Sequence, residues 1–115
     1  MKKQNILKKS QDYTRIIKKR QGIQNNYFIL NQETNTENLP KFGITFTKNI
    51  GNAVTRNKLK RRIKSIIDNN PYLYNHDKNY VIIAKKTAIN LKYQTLEQEL
   101  KNLFLKIKGE KNVKN

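Results

Sequence analysis

The sequence lacks cysteine and tryptophan altogether, and its 115 residues include one histidine, two prolines and four glycines. Without thiols the chain can form neither a disulfide framework nor a cysteine-ligated zinc site. A single histidine, His76, is too little for a histidine-based metal site or a Ser/His/Asp triad. No apolar run approaches the roughly 18–20 residues that span a bilayer, and the basic start has no apolar stretch typical of a secretory signal. These absences predict a cytoplasmic protein.

Acidic residues are scarce as well. Eight Asp and Glu oppose 25 Lys and Arg, which gives a formal net charge of +17, and no carboxylate occurs from Asn38 to Ile67. Lys greatly outnumbers Arg, so part of this charge is compositional background. Basic charge that runs through patterned segments, rather than through one tail, indicates a polyanionic partner. Nucleic acid is the first candidate for that partner, and an anionic membrane surface is the weaker one.

Apolar spacing predicts the order helix, strand, strand, helix, strand, helix. The first helix covers residues 11–20, with Gly22 as its stop, and strands follow at residues 27–31 and 42–47. The longest helix begins after Asn52, its predicted N-cap. A doubly buried strand at residues 80–84 and a helix at residues 93–108, closed by Gly109, complete the order. This pattern predicts an α+β fold, an α/β sandwich in which helices pack on one small sheet. We expect one domain at residues 1–109 and a disordered basic tail at residues 110–115.

The most informative segment is residues 48–64, KNIGNAVTRNKLKRRIK. Six of the nine residues from Arg56 to Lys64 are basic, and on a helix most of them lie opposite or beside the apolar stripe. Like charges four residues apart destabilise a helix by a few tenths of a kcal/mol each. The segment also holds three of the five arginines, which bind phosphate through a planar fork. A solvated helix face is the plain alternative, and a phosphate-binding face is the favoured interpretation.

The same segment resembles a known family. GNAVTRNKLKRRIK is similar to the "RNR" signature of the bacterial ribonuclease P protein component. The resemblance extends to LKKSQDYTRIIKK before the first strand, to FGITFTKNIGNAV, and to YVIIAKK in the central strand, and it covers about residues 7–107. It implies an αβββαβα order around a mixed central sheet, with a left-handed βαβ crossover.

The resemblance also implies a function. The chain would be the protein subunit of ribonuclease P, the endoribonuclease that removes the 5′ leader of precursor tRNA. It would bind the catalytic RNA subunit one to one, as well as precursor tRNA, with no DNA and no membrane partner. The chemistry would belong to the RNA, so no catalytic residue and no metal ligand is expected in the protein. Mg²⁺ would be required by the RNA-containing holoenzyme, with none bound by protein side chains alone.

Residue by residue, the resemblance assigns two groups of contacts. The RNA-binding group is Lys48, Asn52, Arg56, Asn57, Lys58, Lys60, Arg61, Arg62 and Lys64. The leader-binding cleft is Tyr13, Ile17, Tyr27, Ile29, Asn31 and Thr45. Asn52 either contacts RNA or only caps the helix, and Tyr13 either stacks on bases or only packs. The family commonly has aromatics where Ile17 stands and near Asn31, and Tyr27, predicted on the same sheet face, is the expected substitute.

Three other functions fit parts of the sequence. A structural RNA-binding protein of ribosomal type has the same size and charge, but the spacing from Gly51-Asn52 to Arg56-Asn57 argues against it. A DNA-binding module that used the basic helix in a major groove would need a helix just before it, whereas a strand is predicted there. A protein nuclease that acts alone would need a metal or acid/base cluster that the sequence does not offer.

Overall fold

The structure, a computed structural model, describes residues 1–48 and 50–113, with side chains as far as Gly109. Its helices and strands follow the order αβββαβα, which the family resemblance implies. The bounds are α1 Ser10–Lys18, β1 Gly22–Gln24, β2 Phe28–Thr34, β3 Lys41–Phe46, α2 Ala53–Asn69, β4 Lys78–Ala84 and α3 Tyr93–Val113. Short 3₁₀ turns occupy Lys3–Asn5, Pro71–Leu73 and Lys86–Ala88.

The strands form one mixed sheet in the order β1-β2-β4-β3. β2 pairs antiparallel with both β1 and β4, whereas β3 pairs parallel with β4. Because β3 and β4 are parallel neighbours joined through α2, they form a βαβ crossover. The α+β class and the mixed central sheet are therefore confirmed, and the left-handed sense of the crossover stays a prediction.

β4 is buried on both faces, as its continuous apolar run predicts. On one face Tyr80 and Ile82 join the larger core beneath α2 and α3. On the other face Val81 packs with Leu7 and Ile16 in a smaller core beneath α1. The sheet is therefore covered on both faces, by α1 on one face and by α2 and α3 on the other.

α2 is held down by the apolar stripe that the sequence predicts. Leu59, Ile63, Ile66 and Ile67 are each at most 4% exposed. Burial of such a side chain stabilises by about 1.5–3 kcal/mol. Repulsion between neighbouring cations on the outer face costs only a few tenths of a kcal/mol per pair. Packing therefore outweighs the charge repulsion, and the helix can present cations without losing its place on the sheet.

Two predicted helix stops are wrong. α1 ends at Lys18, within two residues of its predicted end, and Arg20 then takes a left-handed backbone conformation (φ 51°). Gly22 is not a helix stop but the first residue of β1, a strand that the family order implies and that apolar spacing does not predict. β1 has only three residues and no apolar alternation, so no periodicity signals it. α3 continues through Gly109 to Val113 instead of ending at the glycine. The disorder of residues 110–115 in solution stays a prediction, and Lys114 and Asn115 lie outside the described residues.

Candidate nucleic-acid interface

A tight turn fixes the start of the basic helix. Gly51 has a φ of +107°, a conformation that favours glycine, and Asn52 follows as the N-cap of α2. The Asn52 Oδ1 atom accepts a hydrogen bond from the Thr55 backbone nitrogen at 2.9 Å, which confirms the predicted cap. Arg56 Nη1 donates to the Gly51 carbonyl oxygen at 2.8 Å. The turn therefore places one arginine of the signature at a defined position beside the helix start.

The outer face of α2 presents its cations to solvent. Arg56, Asn57, Lys58 and Arg61 are exposed, whereas Lys60, Arg62 and Lys64 are half-buried. In the part of the chain that the structure describes, the ion pairs involve other residues, and none of these cations is paired with a carboxylate. Uncompensated cations on an ordered helix produce a strong positive potential. The arrangement suits phosphate binding, since no carboxylate among the described residues neutralises these cations.

The cations divide between two sides of α2. Arg56 lines a groove of about 420 Å³ together with Lys48 and Gly51, and this groove reaches Thr45 on β3. Lys58 and Arg62 line a different groove, between α2 and the connection from β4 to α3. The structure therefore brings Lys48 and Arg56 next to the predicted leader-binding surface. It separates them from Lys58 and Arg62, which the sequence groups with them.

α1 packs closely on its face of the sheet at Gly43. A Cβ atom added there would lie 2.6 Å from the Cε2 and Cζ atoms of the Tyr13 ring, so the ring rests directly on the glycine backbone. The Tyr13 hydroxyl donates to the Leu7 carbonyl oxygen at 3.2 Å, and burial raises the pKa of this hydroxyl. Ile17 is half-buried beside the small core. Tyr13 and Ile17 thus lie along the side of α1 that meets the sheet, as predicted.

A row of half-exposed side chains crosses the same sheet face. Ile29 pairs with Ile83, which pairs with Thr45, so all three point to one side. Each is half-buried, whereas Val81 in the next row is fully buried. The row meets α1 at the small core, against which Ile83, Tyr13 and Ile17 all pack, and it meets the groove of Arg56 at Thr45, which also lines that groove. This makes a continuous surface from the cleft to the start of α2.

Two cleft residues differ from their predicted settings. Tyr27 packs against the larger core on the α2 and α3 side, not against the small core with Tyr13 and Ile17. It precedes β2, so strand alternation does not apply to it, and the prediction that it shares the face of Ile29 is wrong. Asn31 is on the α1 face but only 5% exposed, and its Nδ2 atom has no hydrogen-bond partner among the described residues. The cleft is thus less aromatic than the sequence suggests, and Asn31 exposes little surface to it.

A buried carboxylate that the sequence analysis missed fixes α1 on the sheet. Glu33, which lies beyond the strand predicted at residues 27–31, belongs to β2, and its side chain is 7% exposed. It accepts hydrogen bonds from Arg15 Nε (2.9 Å) and Nη2 (2.8 Å), from Lys19 Nζ (2.9 Å) and from Asn79 Nδ2 (3.2 Å). The Arg15 hydrogen bonds contribute most to lowering the pKa of Glu33 to about 2. The alternation with Ile29 and Asn31, and the four-residue spacing of Arg15 and Lys19, are the signals that could have revealed it.

Residues 1–48 and 50–113 were also considered for a metal site and for a membrane span, the features that two other function classes would need. No group of three or more His, Asp and Glu side chains is arranged to hold a metal ion in that part of the chain. Over the same residues, no helix combines the length and the apolar character needed to cross a membrane.

The sequence of this chain is similar to the sequences of a known protein family. A sequence model of the family described as Ribonuclease P matches residues 1–108. The chain belongs to the ribonuclease P protein family. The ribonuclease P protein component of Bacillus pumilus is 35% identical over 108 residues, which cover 92% of this chain and 90% of the relative. That of Mycoplasma capricolum is 37% identical over 109 residues, covering 94% of this chain and all of the relative. Family membership assigns the chain to RNA binding and tRNA processing.

Solved structures agree with the sequence matches. A Staphylococcus aureus ribonuclease P protein, described as a mutant with defective mRNA degradation activity, superposes with a TM-score of 0.79. It is 28% identical, and the match covers 90% of this chain and 88% of that one. The ribonuclease P protein from Thermotoga maritima gives a TM-score of 0.78 at 27% identity, covering 85% and 93% of the two chains. The fold is therefore that of ribonuclease P proteins, and the roles of individual residues stay predictions.

Arg56→Ala and Arg61→Ala should each weaken RNA binding and flatten its dependence on salt. Each lost phosphate contact should reduce the slope of log K against log salt by about 0.7–0.9. The measurement is filter binding of a structured RNA at several salt concentrations. Lys106→Ala is the matched control, because it removes one exposed cation from α3. Equal slopes in the arginine variants and the wild type would show that the α2 face is only solvated.

Proposed function

We propose that this chain is the protein subunit of ribonuclease P, which binds the catalytic RNA subunit through α2 and takes the 5′ leader of precursor tRNA into the cleft beneath α1. The observation that supports this most is the continuity of the two surfaces. The half-exposed row of Ile29, Ile83 and Thr45 leads to the groove of Lys48 and Arg56 at the start of α2. One RNA strand could therefore pass from an apolar floor onto phosphate-binding cations.

The cleft suits single-stranded RNA without sequence selection. Stacking or apolar contact with a base tolerates every sequence, because each base has a π face, and it is worth about 1–3 kcal/mol per base. Tyr13, an aromatic residue of α1, packs against the small core, and in this proposal it borders the cleft while the aliphatic Ile29 and Ile83 supply the floor. Since Tyr27 packs on the opposite side, leader binding is proposed to depend more on apolar contact than on aromatic stacking.

The chemistry in this proposal belongs to the RNA subunit, which would hold the Mg²⁺ ions and activate the attacking water. The role of the protein is electrostatic and positional. From Asn38 to Ile67 the chain has no carboxylate, so the surface offered to the RNA is suited to phosphate and not to divalent cations. We further propose a 1:1 complex with the RNA subunit and a cytoplasmic location.

Reconstitution tests the proposal. A bacterial ribonuclease P RNA is titrated with Mg²⁺, with and without the protein, and cleavage of precursor tRNA is measured at physiological salt. The protein should lower the Mg²⁺ concentration required and tighten binding of precursor over mature tRNA. The double variant Arg56→Ala/Arg61→Ala, shown by circular dichroism to be folded, is the control and should lose most of the gain. RNA binding by the wild type with no gain in cleavage would favour the structural RNA-binding alternative and contradict the proposal.

A further inference from the structure

The second groove of α2 has an apolar wall that RNA backbone contacts do not require. Val54, Lys58 and Arg62 are spaced four residues apart and therefore lie along one side of the helix. They face the connection between β4 and α3, which contributes Ile89 and Asn90. The groove has a volume of about 320 Å³, at the lower end of the roughly 300–1,000 Å³ typical of small-ligand sites. Its lining is Val54, Thr55, Lys58, Leu59, Arg62, Ile89 and Asn90.

Val54 is the anomaly on this surface. Its side chain is 75% exposed, although the exposed residues of α2 other than Val54 and Ala53 are polar or charged. Packing does not account for it, because Leu59 and the half-buried Ile89 form the groove floor without it. A single exposed valine needs no explanation by itself. Here it continues an apolar floor along one edge of a surface suited to RNA.

The charged lining adds a second observation. Lys58 is exposed, and Arg62 is half-buried, with its Nη1 atom donating to the Leu91 carbonyl oxygen at 3.4 Å. This contact orients the guanidinium at the end of the groove. No carboxylate is among the described lining residues. An apolar wall flanked by two cations has the complementarity of a nucleotide, with a base on the apolar side and its phosphate beside the cations.

We propose that this groove holds one unpaired nucleotide of the RNA partner, with its base against Val54 and Ile89 and its phosphate near Lys58 and Arg62. The inference rests on the proposed function and adds a site to it. The groove lies on the side of α2 away from Arg56, so it is separate from the leader cleft. With this site, α2 would contact RNA on two sides, through phosphates at the groove of Arg56 and through a single base at the groove of Val54.

Val54→Ser tests the proposal, because it removes the apolar contact and no charge. Ribonuclease P RNA is bound to wild-type and variant proteins across a range of salt concentrations. Val54→Ser should weaken binding by about fivefold to tenfold while leaving the salt slope unchanged. Lys58→Ala should instead reduce that slope by about 0.7–0.9. Leu105→Ser is the matched control, since Leu105 is also exposed but lies on α3, and it should bind as the wild type does.

Chemical probing of the bound RNA supplies an independent result. The wild type should protect one unpaired base that becomes reactive again in the complex with Val54→Ser. Wild-type affinity and an unaltered footprint in Val54→Ser would overturn the proposal, and a protein segment would then be the better candidate for the groove. A changed salt slope in that variant would overturn it too, because the contact would then be ionic. Failure of the wild type itself to bind the RNA would overturn the proposed function as well.

Discussion

Replacing Glu33 with alanine should lower the free energy of unfolding by about 2–3 kcal/mol, as measured by urea denaturation at pH 7. Hydrogen bonds to charged groups are worth about 1.5–3 kcal/mol each, but Arg15 and Lys19 are nearly half exposed and would regain water. Asn79 is buried and would lose one partner. The expected loss is therefore well below the sum of the four hydrogen bonds. Glu37→Ala is the matched control, because Glu37 is 60% exposed and pairs with Lys41 at 3.6 Å. It should change stability by less than about 0.5 kcal/mol.

The contribution of Glu33 should also depend on pH in one direction. Its pKa falls from 4.5 to about 2 on folding, so the charged carboxylate favours the folded state. That stabilisation is fully present above the unfolded pKa and is lost as the pH falls from about 4.5 towards 2. The stability difference between wild type and Glu33→Ala should thus be constant from pH 6 to 8 and should shrink below about pH 4. A difference that stays the same down to pH 3 would contradict the role of the ion pairs.

Glu33 also matters for the cleft, because it ties α1 to the end of β2. In the proposed function, a looser α1 would weaken binding of the 5′ leader and would leave the basic outer face of α2 unaltered. Glu33→Ala should therefore reduce the preference for precursor over mature tRNA while the RNA subunit binds with unchanged affinity. Equal losses of affinity for precursor tRNA and for the RNA subunit would indicate general unfolding instead of a displaced α1.

Gly43→Ala should have the largest effect on the cleft itself. The added Cβ atom would lie 2.6 Å from ring atoms of Tyr13, closer than real contacts allow, so the Tyr13 ring or the helix that carries it must shift. Overpacking of this kind costs about 1–3 kcal/mol. Affinity for leader-containing RNA should fall by about fivefold to tenfold, since the contact with one base is misplaced. Stability is measured by thermal unfolding, and affinity by competition between precursor and mature tRNA.

Gly109→Ala provides the same substitution without the clash. A Cβ atom at Gly109 would meet nothing within 4 Å, and the residue lies inside α3. Alanine is better than glycine in a helix by about 0.8–1 kcal/mol, so this variant should be slightly more stable and should bind RNA normally. If Gly43→Ala proved as stable as the wild type and kept its leader preference, Tyr13 would not set the width of the cleft.

Local sequence rules predicted the basic helix well. The cap at Asn52 and the stripe of Leu59, Ile63 and Ile66 depend on residues within two turns of each other, so spacing alone determines them. The exposed cations opposite that stripe follow from the same geometry. The alternation in β3 and the doubly buried β4 are equally local, and both strands are present where the pattern predicts them.

The cleft was predicted less well, because it depends on residues far apart in the chain. Glu33 joins α1 to the sheet across 18 residues to Arg15 and 46 to Asn79, and its alternation with Ile29 and Asn31 indicates its face but not these distant partners. Tyr27 was misplaced because β2 begins one residue after it, so its side chain follows the turn and not the strand. Periodicity specifies which face of an element is apolar, and tertiary pairing determines what that face meets.

The position of β4 in the middle of the sheet has a consequence for folding during synthesis on the ribosome. β4 is synthesised after β1, β2 and β3, yet it pairs with both β2 and β3, and those two strands do not pair with each other. Until Ala84 has left the exit tunnel, the pairing of β1 with β2 is the only part of this sheet that the nascent chain can form, and an isolated two-stranded hairpin is marginal in water. The sheet must therefore assemble late and in one cooperative step, from contacts distant in sequence.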